Sequence, residues 1–494
     1  MKIMRAAELI SLLQVSPQDR QRVLATNPEI TKLTANTKEV TPGSCFVAIH
    51  GNMFDGHDHL AEVFAAGAEF AVVERPVAQE FRDKVIKVPN THKALAQLAV
   101  RFYHNPSRDL RMIGVTGTNG KTTVSRLTAK IMEDAGYSMG VIGTIGNEVG
   151  GENKPALNTT PDALQMQKLF AEMRDDGQAG CAMEVSSIAL AQGRSWGVDF
   201  DTVIFTNLTE DHLDYHGTME AYFEAKAQLF TQVGNGYGAF PKTAVINSDD
   251  EAGLKLIEMS TQTATNVLSY GIDGNADIRA TNVQVSGHGT KFDIEFFGQV
   301  YHVSMRLIGK FNVYNVLAAF GAAYGQGLTP EQIIHSLENA VGVPGRFQVV
   351  PNEKGIITII DYAHTPDGLE NVLETIHEFA NGKVYCVVGC GGDRDTNKRH
   401  IMGNIAVKMA SNPVFTSDNP RTEDPQAILD QVTSQLTPDQ YVEIPDRREA
   451  IKYAIGHAQE NDVVLIAGKG HEDYQIIGRT KHHFSDYEEA EKLL

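Results

Sequence analysis

Tryptophan occurs once in these 494 residues and cysteine only four times. So few cysteines exclude a disulfide-built scaffold. Cys386 and Cys390 lie four apart in a valine-rich run, a spacing that suits neither a zinc knuckle nor a redox pair. With Cys45 and Cys181 they read as buried free thiols of a reducing cytoplasm. No apolar run is long enough to span a membrane, and Met1-Lys-Ile-Met-Arg-Ala turns polar within a few positions. A cytoplasmic chain with no signal peptide and no membrane insertion is therefore expected. Positive charge is scarce as well, with 43 Lys and Arg against 62 Asp and Glu, a net charge of −19. That argues against nucleic acid as a partner but leaves anionic small molecules open, because a few lysines and a glycine loop can hold phosphate. Internal repeats and low-complexity tracts are absent. What remains, 42% hydrophobic and 21% charged, is an ordinary globular composition, and the length predicts about three domains.

The most informative stretch is Ile113-Gly-Val-Thr-Gly-Thr-Asn-Gly-Lys-Thr-Thr123. β-type residues run into a glycine loop, and Lys121, Thr122 and Thr123 open a helical pattern. Gly117, Thr118, Asn119 and Gly120 can turn backbone N–H groups toward a polyphosphate. The helix start adds its dipole, Lys121 a mobile charge, and Thr122 a hydroxyl for Mg²⁺. ATP and Mg²⁺ are the expected cofactors. The spacing departs from the common P-loop, with Gly114, Gly117 and Gly120 in place of one glycine five residues before the last. The plain alternative is a tight strand-to-helix turn that binds nothing.

Texture divides the chain in three. Residues 1–108 mix short strands (45–49, 70–73) with helical segments (92–103), broken by Thr41-Pro-Gly43 and by the glycines of Gly51-Asn-Met-Phe-Asp-Gly56, and residues 104–108 read as a linker. Residues 109–342 alternate strand, loop and helix: strands at 112–115, 182–185 and 203–206, a helix at 122–135 ended by Gly136, and an antiparallel insertion at 275–307. Residues 343–494 form a second α/β unit with strands at 356–360, 384–388, 414–415 and 463–467 and helices at 424–436 and 447–459. The fold class is α/β with parallel sheets, whose ligands lie beyond the carboxyl ends of the strands.

Met183-Glu-Val-Ser-Ser187 and Thr206-Asn-Leu-Thr-Glu-Asp-His-Leu-Asp-Tyr-His216 put Glu184 and His212 just past buried strands. A carboxylate and an imidazole there suit a divalent metal between nucleotide and substrate. Taken singly, Glu184 reads equally as a helix cap, His212 as a hydrogen-bonded loop histidine, and Lys226 of Tyr222-Phe-Glu-Ala-Lys-Ala-Gln-Leu-Phe230 as a surface helical lysine.

In their order these motifs resemble the Mur ligases, ATP-dependent amino-acid ligases of peptidoglycan synthesis. The likeness continues through Gly309-Lys-Phe-Asn-Val-Tyr-Asn315, Pro344-Gly-Arg346, Asp361-Tyr-Ala-His-Thr-Pro-Asp367, Gly389-Cys-Gly-Gly-Asp-Arg-Asp395 and Ala467-Gly-Lys-Gly-His-Glu-Asp-Tyr474. It implies three domains around one cleft: an N-terminal UDP-binding α/β domain, a central P-loop-type ATPase domain and a C-terminal Rossmann-like domain that binds the amino acid. It further implies an acyl-phosphate mechanism and a monomer. By the same resemblance Thr122, Glu184, His212 and a carbamylated Lys226 would serve the metal, and Lys121 the transferring phosphoryl group. Asn312 and Asn315 would face adenine, Arg346 the phosphates and Asp361 the ribose. Asn36, Thr37, Asn158, Thr159, Thr160, Ser186, Gln192 and Arg194 would bind UDP-MurNAc-L-Ala-D-Glu.

The segment Thr416-Ser-Asp-Asn-Pro-Arg-Thr-Glu-Asp-Pro425 resembles the family's diaminopimelate-selecting form. Arg421 can take the second carboxylate of meso-2,6-diaminopimelate in a two-pronged contact. Arg394, Asp418, Asn419, Pro420, Gly468 and Glu472 would complete the pocket. The plainer reading pairs Arg421 with Glu423 or Asp424 on the surface. Two positions depart from the family: Ile188 stands where His usually follows Glu-Val-Ser-Ser, and Asn36-Thr37-Lys38 replaces Asp-Ser-Arg. Three rivals are a ligase that adds L-lysine, a folylpolyglutamate synthetase and a non-catalytic P-loop module. The N-terminal hundred residues speak against the second, and joint retention of Lys121, Glu184, His212 and Lys226 against the third.

Overall fold

The computed structural model describes residues 3–51, 54–233, 242–263 and 266–494, and of Leu24 the backbone alone. Residues 52 and 53 of the expected turn lie outside the described residues. The chain divides into two compact units, Met1–Arg279 with Val316–Ile333, and Ala280–Asn315 with Ile334–Leu494.

The first unit holds a two-stranded pair, Met4–Arg5 with Glu29–Ile30, a four-stranded sheet and most of a larger one. Near the N-terminus the strands Lys32–Thr34, Ser44–Val47, Ala68–Val73 and Val85–Lys87 pair in that order, all parallel. The larger sheet has Arg111–Thr116 at its centre, between Gly180–Glu184 and Thr202–Phe205, both parallel to it. Met139–Gly143 lies outside Gly180–Glu184, and Thr243–Asn247 and Asn266–Gly271 extend the other side. Two short antiparallel strands, Gly146–Val149 and Glu152–Lys154, close one edge. These central strands are apolar almost throughout because helices cover both faces, as a parallel sheet requires. The register aligns Glu184 with Val115 and Phe205 with Thr116, so the residues that follow all three strands emerge together.

The second unit contains a six-stranded sheet in the order Gln348–Val350, Ile357–Asp361, Val463–Ala467, Val384–Val388, Asn412–Phe415, Val442–Glu443, parallel except at the first pair. Asp361 and Val388 both align with Ala467, which brings the ends of three strands level. The expected antiparallel insertion is present as the hairpin Gly289–Phe296 with Gln299–Met305.

Residues 104–108, read as a linker, are ordered: His104 and Asn105 are left-handed, Pro106–Arg108 is a 3₁₀ turn, and Pro106 and Ser107 are buried. The Ser107 hydroxyl also accepts the Asp199 N–H at 3.2 Å. Proline after two left-handed residues makes a rigid corner. The helix expected at 424–436 stops at Val432, where the Thr433 hydroxyl bonds back to the Leu429 carbonyl at 3.0 Å and competes with the backbone. The four cysteines are buried and free, and burial pushes all four thiols up, Cys390 to about 11.

The deepest charge pair of the second unit joins Arg447 to Asp486, both side chains without exposure. Two contacts of 2.7 Å link them, and the guanidinium also holds the Ala467 carbonyl at 2.9 Å. Removing one partner of such a pair strands the other in a dry interior. Asp486→Ala should therefore lower the unfolding free energy of this unit by about 3–5 kcal/mol, read from urea unfolding followed by circular dichroism; a loss of less than ~1 kcal/mol would show that solvent reaches Arg447.

Candidate active site

The loop between Arg111–Thr116 and the helix Lys121–Asp134 is shaped by two left-handed glycines. Gly117 has φ 146° and Gly120, at the helix N-cap, φ 85°. A Cβ at Gly117 would run into the Thr206 hydroxyl, so the close approach of the neighbouring strand end also demands glycine. The loop is tied to residues 206–209: Thr118 N–H to the Asn207 carbonyl (2.9 Å), Asn119 N–H to Asn207 Oδ1 (2.9 Å), and the Thr206 hydroxyl to the Asn119 carbonyl (2.6 Å).

Lys121 curls back over this loop, its Nζ donating to the carbonyls of Gly117 (3.0 Å) and Thr118 (2.7 Å). Thr122 donates its hydroxyl to Glu184 Oε2 at 3.0 Å. Glu184 also accepts the Thr144 N–H at 2.8 Å and the Thr144 hydroxyl at 3.2 Å. Gly143 leaves the space for that carboxylate, since a Cβ there would collide with it. Thr122 and Glu184 are thus brought together at the ends of adjacent elements, as expected, while Thr144, which supports Glu184, carried no signal in the sequence.

Lys226 is buried in the helix Met219–Gln232, with 1% of its surface exposed. Its Nζ reaches the same Gly117 carbonyl at 2.7 Å and sits 4.3 Å from the Tyr222 ring centre. Burial first, and then Lys121 nearby, hold its pKa well below the usual lysine range. The surface-lysine reading is overturned. Tyr222 organises this corner: its hydroxyl pairs with Thr118 at 3.2 Å, and burial pushes it up to about 12.

His212 borders this corner at the Tyr222 ring. It is exposed and left-handed (φ 53°), lies 3.5 Å from Asp211, and meets Tyr222 edge-on at 6.3 Å between ring centres. Among the described residues no group of three or more His, Cys, Asp or Glu gathers around a common point. Thr160, Ser186, Gln192 and Arg194 do form one network. The Thr160 hydroxyl donates to the Glu184 carbonyl (2.9 Å) and accepts the Ser186 N–H (3.0 Å), while Arg194 holds the Thr160 carbonyl (2.9 Å) and Gln192 (2.8 Å). Ser186 caps the short helix that carries Ile188. Asn158 and Thr159 precede this network on an exposed loop, with Thr159 3.1 Å from the Thr144 hydroxyl. Asn36 caps the 3₁₀ turn Thr37–Glu39 beside the N-terminal sheet.

In the second unit Asn312 and Asn315 are buried and joined at 3.1 Å. Asp361 accepts the N–H groups of Phe347 (2.7 Å) and Ala363 (2.8 Å), and burial raises its pKa against the pull of Arg346. Arg346 stacks 4.6 Å above the Tyr362 ring. Beyond the same strand ends lie Asp418–Arg421. Arg421 is left-handed (φ 52°), its backbone pinned by Ile476 and Gly478, and its guanidinium donates to the Gly392 carbonyl at 2.8 Å. The surface-pair reading of Arg421 fails, because Glu423 belongs to the buried Arg399 and Asp424 caps the helix Pro425–Val432. Asn419 donates to Glu472 at 2.8 Å, Asp418 approaches Gly468, and Arg394 lies beside Gly391.

Three family models cover this architecture: the Mur ligase middle domain at residues 115–323, the Mur ligase glutamate ligase domain at 345–470, and the Mur ligase family catalytic domain at 29–103. A UDP-N-acetylmuramoyl-L-alanyl-D-glutamate--2,6-diaminopimelate ligase of Lactiplantibacillus plantarum is 52% identical over 493 residues, 99% of each chain. The chain belongs to the Mur ligase family. A protein of the same description from Bacillus cereus is 49% identical, over 95% of this chain and 94% of its own. A solved Mur ligase structure, also described as such a diaminopimelate ligase, shares 34% identity and a TM-score of 0.69 over 94% of each chain. As in an α/β Mur ligase fold, the P-loop strand lies at the centre of a largely parallel sheet. No helix among the described residues is long and apolar enough to cross a membrane.

The Lys226 environment has a thermodynamic signature. Between its depressed folded pKa and the unfolded value near 10.4, the unfolded chain binds a proton that the folded chain does not. Stability should therefore rise with pH across that window. Lys226→Met should flatten the rise between about pH 7 and pH 9.5, measured by urea unfolding in CO₂-free buffer; an unchanged slope would place a charged ammonium at this site.

Proposed function

We propose that the chain joins meso-2,6-diaminopimelate to the D-glutamate γ-carboxylate of UDP-MurNAc-L-Ala-D-Glu at the expense of ATP. The names and near-full-length identity of its relatives support the reaction. The choice of amino acid rests on one observation, the Arg421 guanidinium presented on a turn whose backbone is held from both sides. meso-Diaminopimelate is lysine with a carboxylate added at the far end. A guanidinium rewards that carboxylate with a charge-assisted, two-pronged contact and repels a bare ammonium.

The carboxylate attacks the γ-phosphorus of ATP, and ADP leaves. The amine then adds to the acyl carbon of the acyl phosphate, and phosphate departs from the tetrahedral adduct. Lys121 offsets the repulsion between the two anions in the first step, from its place directly after the glycine loop. Residues 1–108, 109–342 and 343–494 are assigned to the UDP-muramoyl substrate, ATP and the amino acid respectively. Asn36, Thr37 and the network of Thr160, Ser186 and Arg194 are assigned to the first. Thr122 and Glu184 offer hard oxygen donors side by side and would hold Mg²⁺, with His212 as a further donor; the ion would supply positive charge against the phosphate anions. Lys226 serves as a carbamate. A buried neutral amine attacks CO₂ and loses one proton, and the resulting anion sits beside Lys121 as a counter-charge and an extra oxygen ligand.

Phosphate release should require both UDP-MurNAc-L-Ala-D-Glu and meso-diaminopimelate, and L-lysine should substitute poorly in an amino-acid panel. Arg421→Ala should raise the KM for meso-diaminopimelate by on the order of a hundredfold with little change for ATP. Efficient use of L-lysine by the unaltered enzyme would refute the assignment. Lys226→Ala should retain on the order of a thousandth of the activity or less and regain part of it with formate or acetate, which replace the carbamate; failure of any short carboxylate to restore turnover counts against the modification.

A further inference from the structure

Lys469 has no exposed surface, although it lies at the ligand edge of the second sheet, two residues past Ala467. Its Nζ meets Glu472 Oε2 at 3.1 Å and Asn419 Oδ1 at 3.3 Å, and lies 5.5 Å from the centre of the Tyr474 ring. Asn419 donates its own Nδ2 to the same Glu472 oxygen at 2.8 Å, and Asn419 Oδ1 accepts the Ile476 N–H at 2.8 Å. The amide orientation is thereby set from three sides, and the Glu472 carboxylate is shared between a cation and an amide. Gln475 ties the Asp418 carbonyl at 2.7 Å, so the hairpin Tyr474–Ile477 with Thr480–His483 holds the entire Asp418–Arg421 turn.

Desolvating a lysine is costly and is tolerated when its charge is matched by an anion nearby. Here the match is with Glu472, the residue that otherwise offers an anion to a substrate side chain ending in an ammonium. We propose that Lys469 is a specificity-determining positioning residue: it neutralises Glu472, so that a side chain carrying an ammonium alone gains little, and affinity must come from a distal carboxylate on Arg421. The inference rests on the assignment of Asp418–Arg421 and Glu472 to the amino-acid pocket. With Lys469 in place the pocket side chains Arg394, Arg421 and Lys469 oppose Asp418 and Glu472. Without it the cationic excess disappears and an uncompensated carboxylate faces the substrate.

The test compares kcat/KM for meso-diaminopimelate and L-lysine in four proteins: unaltered, Lys469→Met, Glu472→Gln, and the double variant. Lys469→Met should raise kcat/KM for L-lysine while that for meso-diaminopimelate stays level or falls, shrinking the ratio by about tenfold or more. A purely structural lysine would instead lower both substrates by the same factor, and that result overturns the proposal. In the Glu472→Gln background, adding Lys469→Met should leave the ratio unchanged, because nothing remains to be neutralised. This comparison also decides the matter if the single Lys469 variant fails to fold, and a tenfold change there overturns the proposal. Unaltered enzyme that ignores meso-diaminopimelate would refute the pocket assignment and this role together, whereas a parallel loss in Lys469→Met from an enzyme that prefers it refutes the role alone.

Discussion

The carbonyl oxygen of Gly117 accepts from two lysines, Lys121 at 3.0 Å and Lys226 at 2.7 Å. Much of the first unit's chemistry follows from that shared acceptor. Two cationic side chains on one oxygen, one of them fully buried, cannot both stay charged without cost, and burial with mutual repulsion depresses Lys226. The arrangement requires a loop that turns its carbonyl inward, which in turn requires a left-handed glycine and a neighbouring strand close enough for Thr206 to brace it. A buried amine of lowered pKa beside Lys121 is the result, and conversion of that amine to an anion would relieve the repulsion.

Glu184 is managed the other way. Its carboxylate is held by donors, with Thr122 on one side and Thr144 on the other, and the space is supplied by the absent side chain of Gly143. The same Glu184 contributes its carbonyl to Thr160, which joins Ser186 and Arg194. A carboxylate proposed for a cation and a network proposed for the muramoyl substrate are therefore built on one residue. Displacing it would disturb both.

In the second unit three fully buried cations are each paired with a carboxylate: Arg447 with Asp486, Arg399 with Glu423, Lys469 with Glu472. All three pairs touch the turn that presents Arg421 or the strand end beside it. Arg399 takes Glu423 away from Arg421, and Arg447 holds the carbonyl of Ala467 next to Gly468. The pairs contribute less to net stability than to keeping each guanidinium and carboxylate where its neighbours need it.

Local chemistry made much of this legible in the chain alone. The glycine loop with Lys121 and Thr122, the alternation of apolar strands with helices, the burial of four scattered cysteines and the diaminopimelate-type turn are properties of short segments. They are determined by backbone freedom, hydrophobic period and side-chain type, which no distant contact can change. Pairings between segments far apart in sequence were decided only by the tertiary structure. The burial of Lys226, the support of Glu184 by Thr144, the exposure of His212, the packed corner at residues 104–108 and the capture of Glu472 by Lys469 all depend on strand register and on which helix covers which face. A lysine in a helix reads the same in sequence whether it meets water or a carbonyl; desolvation separates the two cases, and it exists only once the chain has folded around it.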